Sequence, residues 1–278
     1  MKKITRRSFL AAAGLTAAAL ALTACGGSAS STASSTASSA AASSEAASSS
    51  AAELATVEAG KLTMATNAAF PPYEMTTDTG AFEGIDVDTA QAIAEKLGLE
   101  LQIDDMDFDA ALLSVQQGKA DIVMAGVTVT DERKNVMDFS DSYATGIQSI
   151  IVPEGSDIAS PDDLAGKKIG TQRGTTGYIY CSDDFGDENV VAYDDGLTAV
   201  QALNNGQVDA VVIDNAPAKE FVAANPGLVI LDTSYAEEDY AIGLAKGSAL
   251  EDAINAALEE LKADGTLQSI VDKYITAE

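Results

Sequence analysis

The stretch "LLSVQQGKADIVMAG", residues 112–126, decides the fold class of this 278-residue chain. In order, it has the form of a helix end, a stop at Gly118, two further residues, an Asp and a short apolar strand. A second stretch, "VQALNNGQVDAVVID" (residues 200–214), has the same form. A short apolar run directly after a helix is typical of a parallel strand buried on both faces. The two stretches therefore predict two similar α/β units.

Strand-like and helix-like segments alternate on both sides of these stretches. The first unit has predicted strands at 61–66, 99–106 and 120–127 and helices at 85–98 and 107–118; the second has strands at 167–174, 189–193 and 208–215 and helices at 175–185 and 196–206. Strand-like segments at 146–153 and 239–247 bracket the second unit. This order predicts an α/β fold of two lobes, with the chain crossing twice and a ligand cleft between the lobes.

The N-terminus has the layout of an export signal. It begins "MKKITRRSFLAAAGLTAAALALTACGG", with four basic residues, an apolar run and then Cys25. We predict a signal peptide over 1–24, with Cys25 as a lipidated first residue in a bacterial lipobox. An unmodified Cys25 in a transmembrane anchor is the less favoured alternative, and the twin-arginine route is a weak one. The Ser- and Ala-rich segment after Cys25 predicts a flexible tether that extends to residue 55.

The composition excludes several classes of site. The chain has 43 acidic and 16 basic residues and a formal charge of −27, so we expect it to repel nucleic acid. It contains no His, which excludes Ser-His and Cys-His catalysis and His-based metal sites. We predict no metal and no cofactor. If Cys25 carries lipid, Cys181 is left without a disulfide partner.

Arg133 is the first candidate for a binding residue. It lies in "AGVTVTDERKNVMDFSDSYA" (125–144), close to several acidic residues. Spacing alone favours an ordinary ion pair with those neighbours. The alternative is a guanidinium group that faces a cleft and binds a ligand carboxylate with two parallel hydrogen bonds.

Two strand ends carry further candidates. "GTQRGTTGY" (170–178) is a Gly-rich loop before a helix, which Thr175 or Thr176 could cap and whose amides favour anions. The loop lacks the Lys of a phosphate-binding loop. Asp214 closes an apolar strand, where it could meet a cation in the cleft or cap a helix that begins near Pro217.

Three aromatic residues lie beside these strand ends. Phe70 and Tyr73 flank a Pro-Pro pair in "NAAFPPYE" (67–74), and Phe108 opens a later helix. Core packing alone would explain each of them.

Several motifs resemble one family in order and spacing. They are "ATNAAFPPYE" (65–74), "FEGIDVDTAQAIAEKLG" (82–98), "MDFDAALLSVQQGKADIVMAGVTVTDERKNVMDFSDSY" (106–143), "GTQRGTTG" (170–177), "VDAVVIDN" (208–215) and "ALEELKADGTLQSIVDKY" (257–274). From about Lys61 to Tyr274 the chain resembles the family 3 extracellular solute-binding proteins that serve ABC importers of polar amino acids. This resemblance implies a type II periplasmic-binding-protein fold, with lobe 1 at 56–145 and 240–278 and lobe 2 at 146–239.

The resemblance also implies roles for individual residues. Arg133, Thr175 and Thr176 would bind the ligand α-carboxylate, and Asp214 the α-ammonium. Gly126 and Thr128 would add hydrogen bonds from the backbone and a hydroxyl. The remaining expected ligand contacts are Phe70 and Phe108, which would sandwich the ligand side chain, and Asn67, Glu74 and Gln172, which would set selectivity. Many relatives have Asp where this chain has Asn67, which weakens the case for a basic ligand without excluding it.

The resulting hypothesis is a transport receptor that performs no catalysis. It would be a lipid-anchored monomer on the extracytoplasmic face of the cell membrane, capturing a free polar amino acid for an ABC permease. A dehydratase of small carboxylic acids on the same fold, with Glu74 as general acid, is the alternative. A sensor domain that presents its ligand to a partner ranks last, because no signalling domain is attached.

Overall fold

The computed structural model of the protein describes residues 54–275. The predicted signal peptide, Cys25 and nearly all of the predicted tether lie outside the described residues. No described helix has the length and apolar character needed to cross a membrane.

The described chain forms strands and helices that alternate along most of its length. The strands are β1 (Lys61–Thr66), β2 (Ala69–Phe70), β3 (Glu74–Thr76), β4 (Phe82–Glu83), β5 (Glu100–Asp105), β6 (Ile122–Val123), β7 (Met137–Phe139), β8 (Ala144–Pro153), β9 (Ile169–Gln172), β10 (Val190–Tyr193), β11 (Ala210–Asp214), β12 (Leu228–Ile230), β13 (Ala236–Tyr240) and β14 (Gly243–Ala245). The helices are α1 (Ile85–Leu97), α2 (Phe108–Gln116), α3 (Asp131–Lys134), α4 (Thr176–Phe185), α5 (Gly196–Asn204), α6 (Asn215–Ala224), α7 (Glu251–Ala263) and α8 (Thr266–Tyr274).

Two mixed sheets organise these elements. The first has the strand order β5-β1-β6-β14-β7, with β1 parallel to β5 and β6 and with β14 antiparallel to both its neighbours. The second has the order β10-β9-β11-β8-β12, and β13 also pairs with β8. Here β9 lies parallel to β10 and β11, whereas β8 is antiparallel to β11, β12 and β13. A small third sheet, β2-β3-β4, follows β1.

Helix α1 shows how the sequence sets these elements. Asp86 and Asp88 lie in its first turn and Lys96 in its last, which complements the helix dipole. Gly98 ends it in the left-handed conformation, with φ of 70°. Ile93, like the neighbouring apolar residues of the same face, is fully buried against the first sheet. Such a one-sided apolar stripe is what packs a helix on a sheet.

The predicted two-lobed α/β organisation is found, and several boundaries differ. Strand β1 has the predicted bounds, whereas the strand expected over 120–127 is only two residues long. The segment 239–247 contributes to two strands, β13 and β14, because the chain passes from the second sheet to the first at Ala241 and Ile242. The third sheet and the single-turn helix α3 were not predicted, since two-residue strands and one-turn helices leave almost no periodic signal.

Candidate functional site

One cavity brings together every residue predicted for ligand contact, and Ala125 besides. Its lining is Asn67, Phe70, Glu74, Phe108, Ala125, Gly126, Thr128, Arg133, Gln172, Thr175, Thr176 and Asp214. The contacts of these residues with a ligand stay a prediction. These residues lie close together because many of them are at or near the ends of strands from the two sheets.

The cavity lies at the carboxyl ends of parallel strands from both sheets. Asn67 directly follows β1, and Phe108 begins the helix after β5. From the second sheet, Gln172 is the last residue of β9 and Asp214 the last of β11. In open α/β sheets this edge is where ligands bind, because the loops that leave it diverge.

Arg133 is buried at the cavity, with 8% of its surface exposed. Its Nη1 donates to the Thr128 carbonyl at 2.7 Å, and its Nη2 donates to the Gly174 carbonyl at 3.1 Å. The guanidinium carbon lies 5.4 Å from the centre of the Phe108 ring. Burial lowers the pKa of Arg133, and the negative charge of Glu238 opposes that shift. The guanidinium is therefore held in one orientation by bonds from both halves of the site.

The acidic neighbours of Arg133 in sequence do not pair with it. In the described part of the chain, no carboxylate forms a salt bridge with Arg133, and Asp138 instead pairs with Lys246 at 2.6 Å. Asp131 and Glu132 are exposed. The ordinary ion-pair interpretation, favoured by spacing alone, is therefore wrong, and the cleft-facing alternative fits the geometry.

Asp214 is the buried acid on the second sheet. Its Oδ1 accepts a hydrogen bond from the Tyr240 hydroxyl, and its Oδ2 accepts one from Gln148 Nε2 at 2.8 Å. Burial raises the pKa of Asp214 to about 7, although the Tyr240 bond acts in the opposite direction. Helix α6 begins at the next residue, yet the Asp214 side chain makes no capping hydrogen bond. The capping alternative is wrong, because this carboxylate is directed at the cavity and its buried partners.

A second acidic group lies at the first sheet. Glu74 has no exposed surface, and within residues 54–275 neither of its carboxylate oxygens has a hydrogen-bond partner. Burial, then the nearby negative charge of Asp86, raises the pKa of Glu74 well above its usual range. Burial also raises the pKa of Asp86, to about 6. A proton held by this pair relieves the cost of burying two negative charges together.

Gly126 is required at its position beside this pair. Its φ is +55°, a backbone angle that residues with a side chain rarely adopt. A Cβ at this position would also lie 2.8 Å from a carbon of the Phe70 ring. Its amide donates to Asp86 Oδ2 at 3.0 Å. Phe70 and Phe108 are 7% and 5% exposed, so both predicted aromatic contacts are packed as well as facing the cavity.

Two predicted selectivity residues contact each other across the cavity. Gln172 Nε2 donates to Asn67 Oδ1 at 2.8 Å, which links the second sheet to the first. Asn67 Nδ2 donates in turn to the Met106 carbonyl at 3.0 Å. The amide of Asn67 is thereby fixed, with its oxygen turned towards Gln172.

The three threonine hydroxyls already have partners inside the protein. Thr175 caps α4 by accepting from the Tyr178 amide at 3.3 Å, and it donates to the Gln172 carbonyl at 2.8 Å. Thr128 and Thr176 both donate to Glu238, at 3.1 and 2.8 Å.

The polar residues behind the cavity were not predicted from the sequence. Gln148 on β8, and Glu238 and Tyr240 on β13, are buried and bond to residues that line the cavity. Their position follows from the pairing of β8 with β13, which joins segments about ninety residues apart. Nothing in the acidic run "AEEDY" (236–240) indicates that Glu238 is the acidic residue that points inward. Alternation along a strand would have limited the inward-facing residues to one of two alternating sets. In residues 54–275 no three acidic or Cys side chains are grouped to hold a metal ion.

Comparison with known proteins gives consistent matches. Residues 62–277 match the family described as bacterial extracellular solute-binding proteins, family 3. L-cystine-binding protein TcyJ of Escherichia coli (strain K12) is 33% identical over 226 residues, covering 80% of this chain and 85% of TcyJ.

Two solved structures of relatives resemble this chain in sequence and fold. An ancestral arginine-binding protein bound to arginine is 43% identical with a TM-score of 0.74, covering 78% of this chain and 98% of that one. The second structure is AbpA, an amino acid ABC transporter substrate-binding protein from Streptococcus pneumoniae bound to L-arginine. It is 36% identical with a TM-score of 0.73, covering 77% of this chain and 94% of AbpA.

Proposed function

Because the chain belongs to the bacterial extracellular solute-binding proteins of family 3, we propose that it is the receptor of an ABC importer for a polar amino acid. In this role it captures the free amino acid outside the cytoplasm and presents it to the permease. One observation carries the proposal: a buried Arg133 and a buried Asp214 line the same cavity. A zwitterion supplies both missing counter-charges at once.

The two charged groups divide the work of holding the ligand. Arg133 keeps donors available beyond its two carbonyl bonds, since a guanidinium has five N–H groups, and it binds the α-carboxylate. Asp214 binds the α-ammonium. Arg133 lies on α3, which connects β6 and β7 of the first sheet, whereas Asp214 ends β11 of the second sheet. A bound zwitterion therefore favours closure of lobe 1 (56–145 and 240–278) on lobe 2 (146–239).

The ligand side chain meets the remaining lining. Phe70 and Phe108 contact its apolar part, and Asn67, Gln172 and Glu74 select its polar end. The relatives named above bind cystine or arginine, which are both polar amino acids with a long side chain. We propose that the ligand of this chain belongs to the same class.

Catalysis is not part of this proposal. The matched family and the relatives reported above are binding proteins by name, which favours a receptor over a dehydratase. Absence of turnover with prephenate-like acids, under conditions where an amino acid binds, is the expected result.

The leader suits a receptor that must stay near its permease. We propose that residues 1–24 direct export and that Cys25 carries the lipid anchor of a monomeric protein, with the Ser- and Ala-rich segment as tether. Cys25→Ser should release the protein from the membrane fraction in fractionated cells. A variant that stays membrane-bound would contradict lipid anchoring.

Thermal shift and calorimetry test the receptor role. The mature Cys25→Ser chain, unfolded and refolded to remove carried-over ligand, is screened against the twenty amino acids and cystine. A ligand at a hundred times its dissociation constant stabilises the fold by about 2.7 kcal/mol. We expect one or a few polar amino acids to raise the melting temperature. A well-folded sample that responds to none of them would overturn the proposal.

A further inference from the structure

Glu238 is a buried carboxylate directly behind the cavity. It lies on β13 with 7% of its surface exposed. A single oxygen, Oε2, accepts hydrogen bonds from Thr128 Oγ1 at 3.1 Å, Thr176 Oγ1 at 2.8 Å and Gln148 Nε2 at 3.1 Å. Thr128 and Thr176 line the cavity from opposite halves of the site, so Glu238 joins both halves.

The hydroxyl protons of the two threonines are committed by this arrangement. A hydroxyl has one proton to donate and two lone pairs that accept. A carboxylate has no proton, so both threonines must donate to Glu238. Their own oxygens lie 3.4 Å apart, a longer contact for which neither has a proton left. Thr128 and Thr176 therefore present lone pairs to the cavity.

Gln148 extends the same pattern to Asp214. Its Nε2 lies 2.8 Å from Asp214 Oδ2, 3.1 Å from Glu238 Oε2 and 3.5 Å from Thr176 Oγ1. The two shorter contacts take its two amide protons, which are therefore directed to two carboxylates. The wall of the cavity around Glu238 therefore offers acceptors from both lobes: the Asp214 carboxylate and the oxygens of Thr128 and Thr176. Arg133 offers donors, which are the protons of its guanidinium group.

We propose that Glu238 is a positioning residue that turns the hydroxyls of Thr128 and Thr176 into acceptors for the ligand α-ammonium. The α-carboxylate is then bound by Arg133 without the Thr176 hydroxyl. This rests on the proposed function, and it differs from the role that the family resemblance implies for Thr176. Glu238 thereby selects amino acids over carboxylic acids that lack the amino group.

The test compares L-arginine with 5-guanidinopentanoic acid, which is the same molecule without the α-amino group. Calorimetry gives the ratio of their affinities for the mature Cys25→Ser chain and for Glu238→Met in it. Met fills similar space but accepts no strong hydrogen bond, so the hydroxyls become free to donate to a carboxylate. We expect the preference for arginine to shrink by about tenfold or more.

Two further variants serve as references. Glu238→Gln keeps an oxygen that accepts from the threonines, and we expect it to retain most of the preference. Glu237→Met alters the exposed neighbour on the same strand, and we expect it to change neither affinity. A merely structural role of Glu238 would lower both affinities by the same factor in Glu238→Met, and that result would overturn the inference.

Thr176→Val gives an independent answer, whether or not Glu238→Met folds. If the hydroxyl accepts from the ammonium, its removal weakens arginine by about threefold to tenfold and leaves 5-guanidinopentanoic acid unchanged. Equal loss for both ligands would mean that the hydroxyl donates to the carboxylate, which overturns the inference.

The reference protein separates this inference from the proposed function. If it binds an amino acid other than arginine, the same comparison is made with that amino acid and its desamino counterpart. If it binds no amino acid at all, the receptor proposal fails together with the inference. If it binds one but Glu238→Met keeps the full preference, the inference alone fails.

Discussion

Arg133 and Glu74 line the same cavity, and each has less than a tenth of its surface exposed, yet their charges are satisfied differently. Arg133 donates to the carbonyls of Thr128 and Gly174. Within residues 54–275 no N–H group or hydroxyl donates to Glu74, and the charge that affects it most is the like charge of Asp86. One group is thus held ready as a cation, whereas the other is held in a setting that favours its neutral form.

The contrast indicates how such a site distributes the cost of burying charge. A buried cation with good hydrogen bonds keeps its charge, so an arriving anion finds a fixed partner. A buried acid without donors keeps a proton until a cation arrives. The two ends of the cavity should therefore respond differently to substitution and to pH.

Substitution of Arg133 should have the largest effect. Arg133→Ala leaves the ligand carboxylate without its cation, and we expect at least about a hundredfold loss of amino acid affinity by calorimetry. The affinity of Arg133→Lys should lie between those of Arg133→Ala and the unsubstituted protein, because a lysine ammonium keeps the positive charge but lacks the planar guanidinium group. Lys134→Ala, at the exposed neighbour, is the matched control and should bind as the unsubstituted protein does. Equal affinity of Arg133→Ala and Lys134→Ala would remove Arg133 from the site.

The acidic end should make affinity depend on pH. With the pKa of Asp214 at about 7 in the empty site, an ammonium must displace a proton, so affinity should rise about tenfold per pH unit up to pH 7 and then level off. The groups that face Asp214 are Tyr240, Gln148 and the nearby charge of Glu238. Calorimetry at pH 5.5, 6.5 and 7.5 measures the slope.

A ligand without the amino group supplies the control for this slope. For a ligand with an uncharged side chain, which leaves the proton of Glu74 in place, the desamino counterpart should lack the rise. Equal amino acid affinity at pH 5.5 and 7.5 would contradict the ammonium role of Asp214. In the protein without ligand, the contribution of Asp214 to folding stability changes with pH in the opposite direction to the ligand affinity. Because the folded-state pKa of Asp214 is raised, its contribution stabilises the fold in acid and is lost as the pH rises towards 7.

Glu74→Gln should separate cationic from neutral ligand side chains. If Glu74 binds a cationic side chain by giving up its proton, we expect about a tenfold loss of affinity for arginine. Glutamine, which brings no charge, should change by less than about threefold. Calorimetry with both amino acids gives the comparison, and equal losses would place Glu74 outside the selectivity contacts.

Truncation of Thr175 should have the smallest effect on binding and a measurable one on stability. Its hydroxyl caps α4 and donates to Gln172, so Thr175→Ala should cost about 1 kcal/mol of unfolding free energy in urea. Thr175→Ser keeps the cap and serves as control. A tenfold loss of affinity without loss of stability would instead put this hydroxyl on the ligand.

Much of this arrangement was predictable because strand ends carry a strong local signal. The apolar run before Asp214 and the Gly-rich loop after β9 fixed both the strands and the residues at their carboxyl ends. Parallel strands of one sheet share an edge, so those residues meet. Arg133 lies on α3 and not at a strand end, so spacing alone favoured an ion pair, and the family resemblance supplied its expected ligand role. Its carbonyl partners were not predicted. Gly174 reaches it only in the folded chain.

The network behind the cavity was beyond local reasoning. Glu238 contacts Thr176 and Gln148, which lie 62 and 90 residues away in sequence. Nothing within "AEEDY" distinguishes Glu238 from Glu237 until the register of β13 on β8 is known. The position of Tyr240 also depends on this register. Its ring packs against Gly146 so closely that a Cβ at residue 146 would lie 2.4 Å from a ring carbon.

The place of β14 in the first sheet affects how the molecule is assembled. Gly243 pairs with Val123 and Phe139, so the middle of a sheet begun at Lys61 is filled by residues made after the whole second sheet. A nascent chain must therefore hold an open gap, with β7 unpaired and β6 paired on one edge only, until nearly all of the chain has been synthesised. Such high contact order delays folding. A chain that folds slowly stays unfolded for longer, and an export channel that passes only unfolded chains requires this property.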